Sequence, residues 1–313
     1  MSYKKVLITG GTGFIGANIV RRLLKDGHDV HLLVRKEYDN ARLDDVIDNL
    51  RFYEADLTDL SSLDTVLMLV KPDWVFHLSV YGAYSHQNDG RTIFETNVLG
   101  TMNLINACIK CGFEVFVNTG SSSEYGYKDH PSRETELLEP ASTYAVSKAA
   151  TTMFCGYIAR EKNVMIPTLR LYSVYGPYED DGRLVPTLIR FGTQGYFPPL
   201  VDPDIAHDFV FVDDVVEAYL LAAMSKEQQC DAIYNVGTGV QTNIREIVDV
   251  ASRQMDILEE PQWGTMANRR WDTSCWIADN RLIRKQLGWT PSHSLEEGFR
   301  KTLSWYRNRH SRR

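Results

Sequence analysis

A run of β-formers, Val6, Leu7 and Ile8, opens into three glycines spaced by three, Gly10, Gly13 and Gly16, and then into "ANIVRRLLKDG". The order strand, glycine turn, helix constrains the fold more than any other stretch of this chain. Ile19, Val20, Leu23 and Leu24 supply an apolar helix face to lay on a sheet. Without Cβ atoms the turn can bring backbone amides close to an anion and pack helix tightly on strand. Those amides, with the positive end of the helix dipole, suit a pyrophosphate. A glycine pattern alone is also compatible with a tight turn that holds nothing; the flanking strand and helix carry the functional reading.

Strand and helix patterns then alternate, with strands near 5–9, 30–34, 51–54, 73–77, 114–119 and 164–170. This alternation predicts an α/β fold of Rossmann type, a doubly wound parallel sheet that binds ligands beyond the carboxyl ends of its strands. After Gly176-Pro177 the pattern loosens into Pro- and Gly-rich loops, before a helix at 213–224 and a strand at 232–236. We expect a dinucleotide-binding domain over 1–177, with returns near 208–238, and a smaller C-terminal substrate-binding lobe from 178–207 and 239–313. Loops 81–91 and 178–207 should line the pocket.

The 313 residues, 43% of them hydrophobic, suffice for a large core. A net charge of −7 creates no global attraction for nucleic acid, so any anionic ligand must be held locally. No apolar run approaches the roughly 20 residues of a membrane span, and "MSYKK" leads into a strand instead of a signal sequence. A cytoplasmic protein with no membrane partner is expected. Five cysteines give no disulfide framework, and Cys108 and Cys111 lie in a helical pattern with no second pair, so no metal is expected.

In "ASTYAVSKAA", Tyr144 and Lys148 stand four apart and share one face of a helix. A close ammonium would lower a phenol's pKa and let it shuttle a proton to or from a sugar oxygen while hydride moves. Such pairs are also ordinary helix-surface residues. The strand "EVFVNTG" running into "SSSEYG" adds Ser121, Ser122 and Ser123 at a carboxyl strand end, where a hydroxyl can bond the same reacting oxygen.

With "TGGTGFIG", "ADL" at 55–57, "HLS" at 77–79, "NVLGT" at 97–101, "SSSEYG", Tyr144-x-x-x-Lys148, "YGP", "HDFVFVDD", "YNVGTG" and "LGW" in one order, the chain resembles the extended short-chain dehydrogenase/reductases, the NAD(P)-dependent nucleotide-sugar epimerase/dehydratase family. The resemblance implies Gly10, Thr12, Gly13, Phe14, Ile15 and Gly16 around the pyrophosphate, Asp56 and Leu57 by the adenine, and Leu78 along the cofactor. It further implies Lys148 on the nicotinamide ribose, Ser121 with Tyr144 at the reacting carbon, and Ser79, Ser122 and Ser123 near the sugar. It also implies a homodimer built on helices near 92–111 and 142–160, where Val98, Met102, Ile105, Met153, Phe154 and Tyr157 exceed what one sheet face would cover.

Three departures shape the functional expectation. Where relatives end the second strand with an acidic residue for the ribose, this chain has Val34 followed by Arg35 and Lys36, which favours NADP, with NAD as the alternative. Where the dehydratases place an acid and a base after the Ser/Thr, it has Ser122 and Ser123; Glu124 falls one residue late, which on an extended segment points it away. Ser173 and His207 replace an Asn and an Arg, so the substrate diphosphate would lean on Arg183, Arg269 or Arg270, and of these "NRRWDTS" best resembles the family's late arginine. The leading expectation is an oxidoreductase acting at C4 of a nucleotide-diphosphate sugar as a 4-keto reductase in deoxysugar synthesis. A 4-epimerase is the close rival, a 4,6-dehydratase is disfavoured, and a dinucleotide-sensing regulator without turnover is the reading from another class.

Overall fold

The computed structural model describes residues 3–84, 86–268 and 273–311. β1 (Lys5–Thr9) leads through the glycine turn into α1 (Phe14–Lys25), followed by β2 (Asp29–Val34), β3 (Arg51–Glu54), α2 (Leu60–Val70) and β4 (Trp74–His77). α3 (Gly90–Phe94) continues through a wider π-type turn into α4 (Gly100–Cys111), then β5 (Val115–Ser121), α5 (Thr143–Lys162) and β6 (Thr168–Leu171). Shorter pieces follow: β7 (Ser173–Tyr175), α6 (Leu184–Gly192), β8 (Ala206–His207) and β9 (Phe209–Phe211). α7 (Val212–Met224), β10 (Ile233–Val236), β11 (Thr242–Asn243), α8 (Ile244–Met255), α9 (Arg281–Leu287) and α10 (Leu295–His310) complete the order.

Seven strands pair in parallel in the order β10-β6-β5-β4-β1-β2-β3, the doubly wound sheet that the alternation predicts. Strand order reverses at β1, with Thr9 opposite Leu33 on one side and His77 on the other, so the glycine turn opens at the switch point. β6 begins at Thr168 and not near 164, because Pro167 has no N–H to give a ladder. The preceding backbone still pairs loosely, Phe116 N donating to Met165 O at 2.9 Å.

Side-chain alternation sorts the strands into two layers. Val6 and Ile8 of β1 face a core with Val20, Leu23, Phe76, Val117, Leu169 and Tyr219, and Ile283, Leu287 and Trp289 from near the end of the chain close it. Leu7 faces the other layer, with Leu33, Val75, Leu104, Ile105, Phe116 and Ile158. A third core, built by α6, α8 and α10 from Val185, Leu188, Ile189, Ile247, Val248, Phe299 and Leu303, forms the body of the smaller lobe. No helix among the described residues is long and apolar enough to cross a membrane.

One buried carboxylate joins this lobe to the sheet. Asp208, fully buried between β8 and β9, accepts from Thr238 N and Oγ1 at 2.7 Å each, from Gly239 N at 2.9 Å and from Ala278 N at 3.1 Å. Its acceptor-only chemistry matches four donors. Asp208→Asn turns an amide against these N–H groups, and unfolding in urea should show a loss of roughly 3 kcal/mol; an unchanged midpoint would refute the role.

Candidate active site

The glycine turn fits a dinucleotide diphosphate. Gly10 has φ +70°, and a Cβ there would stand 2.7 Å from Ser79 N; a Cβ on Gly16 would stand 2.2 Å from Gly10 O. The turn therefore closes only with glycine at both positions. Gly13 caps α1 without any side-chain hydrogen bond, which leaves the helix's first N–H groups and its positive dipole end for an anion. Thr12 lies half-buried in the turn. Phe14 packs against the lobe core and Ile15 against the first layer, so what this part of α1 presents to the turn is backbone.

The other cofactor-side expectations line the same strand ends. Leu78 and Ser79 follow β4, with Leu78 N bonded to Thr9 O at 3.1 Å and Ser79 N to Thr9 Oγ1 at 3.2 Å. Leu57 is buried after β3 against Gly100 of α4, while Asp56 is exposed and accepts from Thr58 N and Oγ1. Arg35 and Lys36 are exposed just past β2.

β5 delivers Ser121 to the reacting end. Its Oγ bonds Ser123 Oγ at 2.7 Å and accepts from Ser123 N, which caps a tight turn over 122–125. Tyr144 and Lys148 rise from the first turns of α5, where Ser142 caps the helix. Ser121 lies close enough to the Tyr144 phenol to act on its pKa, and Gly82, at φ +98°, sits where a Cβ would crowd Ile93 at 2.9 Å and touch the Tyr144 ring at an ordinary 3.4 Å. Lys148 is buried and donates through Nζ to Thr119 O, so its ammonium is anchored to β5.

Electrostatics here correct one expectation. Burial raises the Tyr144 pKa above its ordinary value; the Ser121 hydrogen bond opposes that shift, and the cation that acts on the phenol is Arg183. Burial also lowers the Lys148 pKa. The ammonium does not hold the phenol down in this state, because desolvation of the ring outweighs the charges around it. Tyr144 is a neutral phenol at pH 7, ready to donate. Behind it His77 is held down to about 3 by burial and by Lys148, a neutral ring between the hydroxyls of Thr9 and Thr101.

The segment after Ser121 is not extended. Glu124 folds back as the third residue of the turn, fully buried, accepting from Ser121 N at 2.8 Å and from Thr152 Oγ1 at 3.1 Å, and pairs with Arg170 Nε at 2.8 Å. It is consumed by structure, for a reason different from the strand alternation expected. Ser123 stays with Ser121, whereas Ser122 is buried and accepts from Trp276 Nε1 at 3.0 Å. Trp276 is thereby brought to the strand end from 154 residues away. Its nearness in sequence to "NRRWDTS" is the one hint of that position.

The diphosphate-side expectations divide. Ser173 sits half-buried on β7, bonded through N to Asp208 O, and His207 lies on β8 with its ring 5.6 Å from that of Phe209. Arg183 occupies the N-cap of α6 and stands 5.9 Å over the Tyr84 ring. Arg269 and Arg270 lie outside the described residues. Glu179, unmarked by any motif, has a nearly buried carboxyl with Oε1 3.9 Å from Arg183 Nε. Burial pushes that carboxyl up to about 8 against the pull of Arg183 and the Gly176 N–H.

A raised carboxyl pKa means that the folded chain keeps a proton the unfolded chain releases, so stability falls as pH rises from the ordinary 4.5 to about 8. Glu179→Gln has no such fall. Across that window its stability should gain on the parent by about 1–3 kcal/mol, read from urea midpoints; a constant difference would refute the assignment.

Comparison with known proteins gives this geometry a family. The model of the NAD dependent epimerase/dehydratase family matches residues 6–237. The UDP-glucose 4-epimerase of Mycolicibacterium smegmatis is 31% identical over 97% of this chain and 99% of its own. The dTDP-glucose 4,6-dehydratase of Salmonella typhimurium is 27% identical over 96% of this chain and 92% of its own. The structure of Thermus thermophilus UDP-glucose 4-epimerase in complex with NAD superposes with a TM-score of 0.85 at 29% identity, covering 96% and 98% of the two chains. With nearly three quarters of its length inside the family model, its glycine cradle at the switch point and its serine, tyrosine and lysine gathered beyond β5, the chain belongs to the NAD dependent epimerase/dehydratase family.

Proposed function

We propose that the protein is a nucleotide-sugar 4-epimerase that inverts C4 of a nucleotide-diphosphate sugar. The observation that carries the reading is the reacting end itself: Ser121, Tyr144 and Lys148 converge there, while Glu124, the nearest carboxylate in sequence, is sealed in an ion pair with Arg170. Dehydration needs an acid and a base at the positions where this chain has Ser122 and Ser123, and one of those hydroxyls is committed to Trp276. The relatives include both epimerases and dehydratases, so it is the arrangement of these hydroxyls and of Glu124 that supports the former reading. A bound dinucleotide supplies hydride acceptance and return at its nicotinamide.

The chain's own residues supply the rest. Tyr144 first gives up its own proton to solvent; its phenolate then takes the O4 proton as hydride leaves C4 and returns it when hydride comes back, with Ser121 bonding the same oxygen. Lys148 would hold the cofactor ribose and stabilise that phenolate before the O4 proton reaches it. Arg183 faces the diphosphate.

A 4-keto-sugar reductase using NADPH is the second reading, and a specific observation favours it: Arg35 and Lys36 stand exposed where relatives carry an acidic ribose ligand. The deciding experiment offers UDP, dTDP, GDP and CDP sugars and their 4-keto derivatives, following NAD(P)H absorbance and product together. Product without net cofactor change supports the epimerase, and NADPH consumption supports the reductase. Conversion of none overturns both.

Three expectations follow. Tyr144→Phe should retain fold and cofactor but lower turnover by about 10² or more; parental turnover would sink the assignment. Arg35→Asp should weaken NADPH by about 1–3 kcal/mol and spare NADH, measured by fluorescence titration; equal affinities in the parent would remove NADP preference. A homodimer is supported by the apolar stripe of Leu99, Val146, Met153 and Tyr157, all more than a third exposed, although Ile105 belongs to the core. Light scattering at micromolar concentration should give twice the chain mass, and Met153→Asp should halve it.

A further inference from the structure

Four described non-glycine residues have positive φ, and three of them, Lys71, Asn163 and Asp256, close the ends of helices. The fourth, Tyr178 at φ +71°, follows Pro177 in the loop between β7 and α6, where no helix end calls for it. An aromatic residue persists in that region only when its surroundings over-determine it. They do so here. The Arg21 guanidinium of α1 lies 3.9 Å from the Tyr178 ring, and Trp305 and Arg309 of α10 lie 4.8 Å and 5.6 Å from it. Asn18 Nδ2 holds the carbonyl before it at 2.9 Å, and Arg42 Nε donates to the Tyr178 carbonyl at 2.8 Å.

Arg42 belongs to the loop that leaves β2 at Arg35. That loop is itself gathered by the same arginines: Arg21 Nη2 donates to Arg42 O at 2.6 Å, and Arg309 Nη2 to Ala41 O at 3.3 Å. Arg42 Nη2 also stands 4.0 Å from Asp180. Beyond Tyr178 the same short stretch carries Glu179, Asp180 and Arg183, whose charges act on Tyr84, and Arg183 acts on Tyr144 as well. In a sheet of this order the carboxyl end of β2 meets the adenosine half of a dinucleotide. One side chain therefore bridges the loop at the adenosine end and the loop at the substrate end.

We propose that Arg42 is a positioning residue that couples cofactor binding at the end of β2 to the placement of Arg183 for the substrate. The coupling rests on the reading of the site as one for NAD(P) and a nucleotide sugar. Cofactor that orders the 35–46 loop fixes Arg42, which fixes the Tyr178 carbonyl and the stretch to Arg183 behind it. Nothing in the chemistry at C4 passes through Arg42.

The test measures hydrogen exchange of peptides covering 177–183 with and without NADH or NADPH, alongside substrate kinetics. In the parent, cofactor should slow exchange there. Arg42→Ala should still bind cofactor, lose the slowing, and raise KM for the sugar nucleotide about tenfold with kcat little changed. Arg183→Ala should raise KM and keep the slowing. If Arg42→Ala does not fold, Arg42→Lys, which keeps the charge but not the forked donor, carries the same readouts. Slowing that survives in the Arg42 variant, or none in the parent, overturns the coupling. Failure of every nucleotide sugar to react overturns the functional reading instead, and the exchange measurement still decides the link between loops.

Discussion

The candidate active site rests on the buried ion pair between Glu124 and Arg170, whose side chains are 0% and 3% exposed. Two charges taken out of water are costly unless their remaining hydrogen-bonding capacity is met. Glu124 meets it by accepting from Ser121 N and Thr152 Oγ1 besides Arg170. Arg170 donates onward to the Tyr125 hydroxyl at 2.8 Å, which donates to Asn235 Oδ1 at 2.6 Å. Asn235 in turn donates through Nδ2 to Ser132 O at 2.8 Å and through N to Glu134 Oε1 at 2.9 Å. The end of β5, α5, β6, β10 and the loop before α5 are thus held by one satisfied network, and Ser121 takes its position from it.

That network also explains why this site reads as one for proton and hydride movement at a single carbon. A carboxylate beside the sugar would be a base for elimination; here it is an internal strut. What remains in reach of the reacting oxygen is a pair of serine hydroxyls and a phenol kept neutral by burial. Such a phenol is matched to giving a proton. To take one, it must first lose its own, and Lys148, held by Thr119 O, would have to act on the phenolate that results, since it does not lower the pKa of the buried phenol.

The sheet was legible because its signals are local: period-2 strands, a helical face after each, and glycines whose spacing is itself the constraint. The constellation of Ser121, Tyr144 and Lys148 was legible through motifs on adjacent elements. The parts that were not legible depend on distance in sequence. Nothing in the spacing brings Trp276 to Ser122, or Arg42 to the carbonyl of Tyr178. Local reasoning also mistook the shape of 122–125, because an acidic residue that closes a capping turn and one that alternates along a strand look alike until Arg170 is placed beside it. The Tyr144 pKa went the other way for a related reason: pairing was visible in the sequence, but burial was not.

The late arrival of β10 has a consequence for how the chain comes to be. β10 joins the sheet through β6, some 65 residues earlier in the chain, and it carries Asn235, the far anchor of the network behind Ser121. During synthesis the glycine turn and the strands that flank it can assemble while β10 is still inside the ribosome. The Tyr125 hydroxyl has no Asn235 to meet until then, and Arg170 stands at a sheet edge open to water. The glycine turn is therefore complete within the first part of the chain, whereas the network that positions Ser121 closes only with β10.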